Sequence, residues 1–558
     1  MILGLDVGGT QTDAVVLEDG HVRAHTKTVN RPELLETLGQ SLDKTLAGIE
    51  PDKIQRMVFS TTMATNAVVM DNMDPAGMIV SAGPGMNPEW FSVGPSYHVV
   101  EGCMDHRGTE VMALDKSQVK EAIREMEKAG VNACGIVCKF SVRNPHQELQ
   151  VEEWLGGQFG YKALGHRFSG SLNFPRRIAT AYLNAALHKL HTKFISSLET
   201  TLTERGLNAP RYLMKPDGGT IRLDKSCEFP AQTAQSGPAA SVMGALALDG
   251  CKGVTLVLDI GGTTTDMALV LDGLPLWVPN GIRIGEHRTS IRSLLTRSVG
   301  FGGDSEVKVE DGKKLSIGPM RRGEAMAFGG PMPTPTDAMI TLGLMEEGDK
   351  DLARKAMEKI GAQLSLDAEK AAKIILEETT KGMTKAVIDF VKRINSRPVY
   401  TIHEVIEGIK IDPDRIVVLG APAPIVAPML EKAFNIPCVV PPHYQVANAV
   451  GAAAAKVTAE ISLQADTQRG SMVIPEVGLE SAIARDFTMA AAMEQAKEAL
   501  FSRGLAVGAD PGDQEFAVIE KEEFNMIRGG YRVGKNIRLK LALVPGLIPD
   551  CNCGGQQL

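Results

Sequence analysis

The chain has 558 residues, 44% of them apolar and 23% charged, with a formal net charge of −8. Such a length exceeds what one hydrophobic core organises and suggests three or four units. The acidic balance argues against a nucleic-acid partner, and the short basic pairs Lys313-Lys314 and Arg321-Arg322 read as solvated loops.

The amino terminus enters a strand at once and Asp6 interrupts its apolar run, so neither a signal peptide nor a membrane span is expected and the protein reads as cytoplasmic. That first strand leads into Asp6-Val7-Gly8-Gly9-Thr10-Gln11-Thr12-Asp13, an acidic strand end, a Gly-Gly turn and a hydroxyl-rich return, which together predict a hairpin with a small polar tip. An amphipathic stretch from Pro32 to Ile49 and a strand over 56–60 follow. Next comes Thr61-Thr62-Met63-Ala64-Thr65-Asn66, a helix opening on hydroxyls. Those hydroxyls have two readings: they cap the helix, or the helix start faces a cleft and takes an anion or a carbonyl oxygen.

The Gly- and Pro-rich stretch 79–108 reads as loop, 116–130 as helix and 133–140 as strand, with Cys134 and Cys138 as buried thiols on one face of that strand. A helical link over 176–205 leads to two loops, Met214 to Thr220 and Ala234 to Ala240, whose backbone donors can approach a ligand. The first motif then returns: Asp259-Ile260-Gly261-Gly262-Thr263-Thr264-Thr265-Asp266 stands 253 residues after its counterpart. A lone Asp-x-Gly-Gly-Thr is as well explained by a tight hairpin as by a ligand site. Two copies at domain spacing point to two tips facing one nucleotide.

The chemistry suits that reading. Glycines let backbone N–H groups converge on an anion, Thr hydroxyls add donors, and an Asp at a strand end holds Mg²⁺ or its water shell. The candidate phosphate-binding residues are Gly8, Gly9, Thr10, Thr12, Gly261, Gly262, Thr263 and Thr265, with Asp6 and Asp259 as catalytic and metal-binding carboxylates. Asp13 and Asp266, one step down each hairpin, either orient the Thr hydroxyls or make ordinary structural hydrogen bonds.

Residues 283–335 are irregular and Gly-rich, and charged-faced helices fill 337–395. The small-residue helix around Asn448-Ala449-Val450-Gly451-Ala452 favours tight packing over ligand contact. From about residue 460 a strand, helix and strand set forms a small terminal unit, ending in a Gly-rich tail with Cys551 and Cys553 that reads as disordered. The eight cysteines show no zinc spacing.

Asp6-Val7-Gly8-Gly9-Thr10, Ser60-Thr61-Thr62-Met63-Ala64-Thr65-Asn66-Ala67, Asn144-Pro145-His146-Gln147-Glu148, Arg177 with Thr180 and Asn184, Asp217-Gly218-Gly219, Ser236-Gly237-Pro238-Ala239, Asp259-Ile260-Gly261-Gly262-Thr263 and Thr336-Asp337-Ala338 occur in one order. That series resembles the hydantoinase A / 5-oxoprolinase family, which includes subunits of acetone and acetophenone carboxylases, over roughly residues 1–455. The resemblance implies an α/β, duplicated actin-like ATPase fold of the sugar kinase, Hsp70 and actin type, to which the residue pattern adds an insertion and a small C-terminal α+β domain. The expected units are 1–185, 186–456 with the insertion around 283–400, and 457–558.

The resemblance also implies ATP and Mg²⁺ as cofactors, a small cyclic amide or ketone as substrate, and a hydantoinase B-type partner subunit, with self-association left open. Thr61, Thr62, Asn66, Asp217 and Gly218 become substrate-binding candidates, and Gly420 belongs to the adenosine loop. Four stretches depart from the family pattern, among them 102–107 and 318–324, which replace family motifs. The adenosine loop reads Gly420-Ala421-Pro422-Ala423-Pro424, and Asp304 follows Gly302-Gly303 where the family has no carboxylate. The competing expectations are a small-molecule kinase of the same fold, or an ATP-driven switch acting on a protein partner.

Overall fold

The computed structural model describes residues 1–30, 34–278, 280–310, 314–396, 410–513, 515–549 and 551. The sequence repeat becomes a structural repeat. Strands Ile2–Val7 and Gln11–Glu18 pair as an antiparallel hairpin, and Ile2–Val7 pairs on its other side, in parallel, with Arg56–Thr61. Strands Val254–Ile260 and Thr265–Leu271 do the same, with Arg415–Leu419 as the parallel neighbour.

The first hairpin lies in a six-stranded sheet in the order Thr220–Arg222, Arg211–Met214, Arg56–Thr61, Ile2–Val7, Gln11–Glu18, His21–Val29. The second anchors another six-stranded sheet, flanked by Leu274–Pro275 and Thr296–Val299 on one side and Cys438–Val439 on the other. Alternation along the strands divides each sheet into two buried faces. Leu3, Leu5 and Val7 point to a core with Leu38, Leu42 and Leu198, whereas Leu256, Leu258 and Ile260 point to a core built with helices Lys350–Leu364 and Ala368–Asn395.

The opposite faces of the two sheets share one core, where Val15, Leu17, Val257 and Val270 meet helices Ser236–Asp249 and Ala447–Ala454. These helices have hardly any exposed side chain, so they lack the polar face of a surface helix. Glycine makes their approach possible. A Cβ on Gly451 would stand 2.0 Å from the Ala240 carbonyl oxygen, and one on Gly244 would stand 2.1 Å from that of Ala447. The packing reading of the small-residue helix therefore describes what these residues do.

Two expectations need correction. The stretch 79–108 is not simply loop: Gly77–Ser81 and Ser96–Val99 are strands of a parallel four-stranded sheet with Ala133–Cys138 and Tyr161–Leu164. The Gly and Pro residues between them hid a wholly buried strand. The link expected over 176–205 is helical: one 30-residue helix spans Phe174–Thr203, and the strands Arg211–Met214 and Thr220–Arg222 that follow it join the first sheet. Cys551 is buried, because Leu547 and Ile548 pack the tail against the shared core and the Ile548 amide donates to the Ala454 carbonyl at 2.7 Å. Cys553 lies outside the described residues.

Strands Glu460–Asp466, Ser471–Ile474, Leu479–Ala482, Phe516–Arg528 and Tyr531–Leu543 form a five-stranded antiparallel sheet, covered by helix Met489–Ala506. Among the described residues no helix is long and apolar enough to cross a membrane.

Candidate functional site

Hairpin register determines what the two tips present. Asp6 lies opposite Asp13, and Asp259 opposite Asp266. Residues directly opposite each other in an antiparallel pair share a face, so each hairpin carries two carboxylates side by side just below its turn. Each turn closes in the same way: the Gly8 amide donates to the Gln11 carbonyl at 3.0 Å, and the Gly261 amide to the Thr264 carbonyl at 2.9 Å. Gly8 and Gly261 thus use their own N–H groups to close the turns that form the two tips.

The tips are braced differently. Asn30 holds the first, donating from Nδ2 to the Gly8 carbonyl at 2.8 Å and accepting the Thr12 hydroxyl at 2.7 Å. The loop 300–305 holds the second: the Gly303 and Asp304 amides donate to the Gly261 and Gly262 carbonyls at 3.0 and 2.7 Å, and the Thr265 hydroxyl donates to the Phe301 carbonyl at 2.5 Å. Thr12 and Thr265 are therefore buried braces, whereas Gly9, Thr10 and Thr263 are exposed at the tips. Asp13 and Asp266 make ordinary structural bonds, with Lys27 at 2.9 Å and with the Ser298 hydroxyl, while the Thr hydroxyls go to Asn30 and Phe301.

The four carboxylates sense one another. Burial pushes Asp6 above the usual carboxylate range, hydrogen bonds from Ser60 and Asn448 oppose this, and the Asp259 charge adds to the rise. Burial likewise raises Asp13 to about 6, against the pull of Lys27 at 2.9 Å and with help from Asp6 and Asp259. Asp266 rises to about 7 through burial and the Asp259 charge, and accepts the Ser298 hydroxyl. Asp259 accepts the Ser241 hydroxyl at 2.6 Å. Two hairpins 253 residues apart in sequence thus bring their carboxylates close enough to act on one another's charge.

These carboxylates suit a cation with its own oxygen ligands. Asp6 Oδ1 and Asp13 Oδ1 are buried without a hydrogen-bond partner, and a positive charge would relieve the mutual repulsion. Among the described residues no group of three or more Asp, Glu, His or Cys side chains forms a ready cage. An ion held by the unpartnered oxygens of Asp6 and Asp13 would keep most of its ligands as water or phosphate oxygens, the coordination Mg²⁺ favours.

Helix Met63–Val69 begins beside the first tip, where the Thr62 amide donates to the Val7 carbonyl at 3.3 Å. The Thr62 hydroxyl does not cap the helix; it accepts from Asn66 Nδ2 at 3.3 Å, and this Nδ2 stands 4.0 Å from the place a Cβ on Gly9 would take. Thr62 and Asn66 therefore border the tip, whereas Thr61 is buried, with its amide and carbonyl both bonded to the Ser236 hydroxyl. Gly420 ends the strand beside Asp259 with φ +89°, and a Cβ there would strike the Ile260 carbonyl oxygen at 2.2 Å.

Asp217 is engaged elsewhere. It is buried against Arg292 at 2.7 Å, Thr458 at 2.9 Å and Lys215 at 3.4 Å, and these charges hold its carboxyl far below the usual range despite burial. It lines a cavity of only about 50 Å³, and the Cβ position of the neighbouring Gly218 faces Met243 and Leu294 at 3.2 and 3.3 Å. Sequence reasoning passed over Asn448, which donates to Asp6 at 3.4 Å from the shared-core helix. Its signal was a single amide side chain in a run of small apolar residues.

Two family models match the chain: the hydantoinase/oxoprolinase N-terminal region over residues 2–157 and hydantoinase/oxoprolinase over residues 177–461. The acetophenone carboxylase gamma subunit of Aromatoleum aromaticum is 25% identical over 444 residues, 69% of this chain and 60% of that protein. The caprolactamase subunit alpha of Pseudomonas jessenii is 23% identical over 456 residues, 75% of this chain and 64% of that protein. The chain thus spans less than two thirds of the length of these curated relatives. In fold it is similar to nucleotide-free acetone carboxylase, with a TM-score of 0.73 at 18% identity covering 99% of this chain and 88% of that one. It is also similar to the ATP-dependent caprolactamase of Pseudomonas jessenii, with a TM-score of 0.66 at 18% identity covering 97% and 87%.

Proposed function

The chain belongs to the hydantoinase/oxoprolinase family, and from that premise we propose that it is the ATP-cleaving subunit of an enzyme that activates a small cyclic amide or a ketone. The observation that carries this reading is that Asp6, Asp13, Asp259 and Asp266, from two duplicated hairpins, act on one another's charge, as the walls of one cleft would. Curated relatives are named as carboxylase and caprolactamase subunits, which supports an assembly with a separate hydantoinase B-type chain.

An unactivated lactam is a poor electrophile. Moving the terminal phosphoryl group of ATP to the amide or enolate oxygen forms an O–P bond there, breaks the bond to the β-phosphate and releases ADP. Water can then add to the activated amide carbon, the ring C–N bond breaks with nitrogen leaving as the amine, and the acyl phosphate that remains is hydrolysed to carboxylate and phosphate. An enol phosphate instead holds the ketone with a nucleophilic α-carbon for carboxylation, and its O–P bond is cleaved as the carbonyl re-forms. The chain's contribution is positioning and charge compensation. Gly9, Thr10, Gly262 and Thr263 at the tips receive the phosphates, Thr62 and Asn66 border the acceptor, and Gly420 leaves room beside Asp259. Asp6 and Asp259, held by Asn448 and Ser241, would hold Mg²⁺, which when bound supplies positive charge against the phosphate oxygens.

The test is ATP turnover followed by ³¹P NMR with a panel of cyclic amides and ketones, with and without the B-type chain. Asp6→Asn and Asp259→Asn are each expected to lower turnover by about 100-fold or more while leaving the unfolding midpoint in place. Ordinary turnover by both variants would sink the site. Accumulation of a stable phosphorylated acceptor would instead select the kinase reading.

A further inference from the structure

Four buried polar atoms without a hydrogen-bond partner gather around one pocket: Arg143 Nε, Arg538 Nε, Gln464 Oε1 and Asn536 Oδ1. The pocket, about 160 Å³, lies where the turn after strand Ala133–Cys138 meets the C-terminal sheet, and it shares no residue with either hairpin tip. Natural folds leave few buried polar groups unpaired, so four in one cavity call for a common explanation.

The charges there are not neutralised from within. Arg107 takes up Asp466, with Nε at 3.0 Å and Nη2 at 2.6 Å, and Asp466 also accepts the amides of Gln468 and Arg469 at 3.0 Å. Among the described residues Arg143 makes no ion pair. Among the described residues Arg538 has one ion pair, from Nη1 to the half-exposed Glu522 at 3.6 Å, and its guanidinium lies 5.7 Å from the centre of the Phe524 ring, while Nε is buried without a hydrogen-bond partner. Burial first, and the like charge of Arg538 second, push the Arg143 guanidinium down to about 10, with Glu520 and Asp466 pulling weakly the other way. Two guanidinium groups thus line one pocket and feel each other's charge, while Asp466, the one carboxylate among its described lining residues, is taken up by Arg107.

The neutral wall has the complementary polarity. Gln464 donates from Nε2 to the Gly170 carbonyl at 3.3 Å, which fixes its amide orientation and leaves Oε1 toward the pocket. Asn536 adds a second carbonyl oxygen. Donors on cationic groups and acceptors on neutral amides line the same space.

We propose that this pocket binds a small carboxylate that also carries N–H donors, an amino acid or an amide-bearing acid. The carboxylate lies between Arg143 and Arg538, the geometry in which guanidinium groups recognise carboxylates best, and the N–H groups face Gln464 and Asn536 after small side-chain rotations. Arg143 comes from the amino-terminal part of the chain and the other three from the C-terminal sheet, so the bound molecule ties the two together. The site stands whether or not the ATP reading holds.

The experiment is calorimetric titration and thermal unfolding of the full chain with asparagine, propionate, propionamide and inorganic phosphate as probes. Asparagine is expected to bind saturably and raise the midpoint, propionate to bind about tenfold or more weaker, and propionamide not to bind. Arg143→Met and Arg538→Met should each weaken asparagine binding by about tenfold or more and leave ATP turnover unchanged. If either variant unfolds, Gln464→Leu, which touches neither charge, carries the test through the loss of preference for asparagine over propionate. Absence of saturable binding by any probe, equal binding by all variants, or phosphate binding as tightly as asparagine would overturn the proposal.

Discussion

Glu148 shows how a residue from a family motif can work entirely inside the fold. Its carboxylate is completely buried, accepts the Cys138 amide at 2.9 Å and the His166 amide at 2.9 Å, and meets His166 Nδ1 at 2.6 Å. Arg177, also fully buried, stands 3.5 Å away and donates to the Ser141 hydroxyl at 2.6 Å. Burial alone would raise the Glu148 pKa, but His166 and Arg177 outweigh it and hold the carboxyl below its usual range. Glu148→Gln therefore strands a buried guanidinium, and urea unfolding should show a loss of about 3–5 kcal/mol. The neighbouring His146 is exposed and only begins helix His146–Leu155, its amide donating to the Asn144 side chain at 3.0 Å. Both residues were visible in the sequence, but nothing in their spacing told the buried linchpin from the exposed helix start.

Among elements, the decisive contact is the crossing of helices Ser236–Asp249 and Ala447–Ala454 between the two sheets. Ser241 and Asn448, on these two helices, hold Asp259 and Asp6, so the crossing positions the cleft. Gly451→Ala places a Cβ against backbone at 2.0 Å, where no rotamer change can help, and should cost about 1–3 kcal/mol and weaken nucleotide binding together. Gly9→Ala is the informative contrast. Its Cβ meets nothing nearer than Asn66 at 4.0 Å, so the unfolding midpoint should stay within about 0.5 kcal/mol while nucleotide affinity falls. Paired denaturation and nucleotide titration of the two variants would separate a structural glycine from one that faces the ligand. The sequence marked both as glycines in small-residue contexts; their different roles arise from what packs against each.

For the whole molecule, a ligand clasped by both hairpins ties together two sheets whose strands lie far apart along the chain. A non-hydrolysable ATP analogue with Mg²⁺ at 100 times its Kd should stabilise the native state by about 2.7 kcal/mol. Asp6→Asn or Asp259→Asn should remove most of that gain, whereas Arg143→Met should leave it intact. Thermal unfolding with and without the analogue measures all three. A gain that survives both Asp substitutions would place the nucleotide outside the cleft.

By itself the sequence determined the duplication, the two Asp-x-Gly-Gly-Thr hairpins and the α/β class, because each depends on local composition: an apolar alternation, a carboxylate at the strand end and glycines at the turn. It also carried the family, because the order of short motifs survives even where overall identity is low. Tertiary structure alone decided which of those residues stand exposed at the tips and which are buried. Strand register turned Asp13 and Asp266 toward Asp6 and Asp259, while bracing by Asn30 and the 300–305 loop turned Thr12 and Thr265 inward. Burial among Lys215, Arg292 and Thr458 engaged Asp217 inside the protein, and the meeting of Arg143 with the C-terminal sheet created a pocket from residues nearly 400 positions apart. Those outcomes depend on long-range packing and on which charges share a low-dielectric space, and a linear sequence records neither.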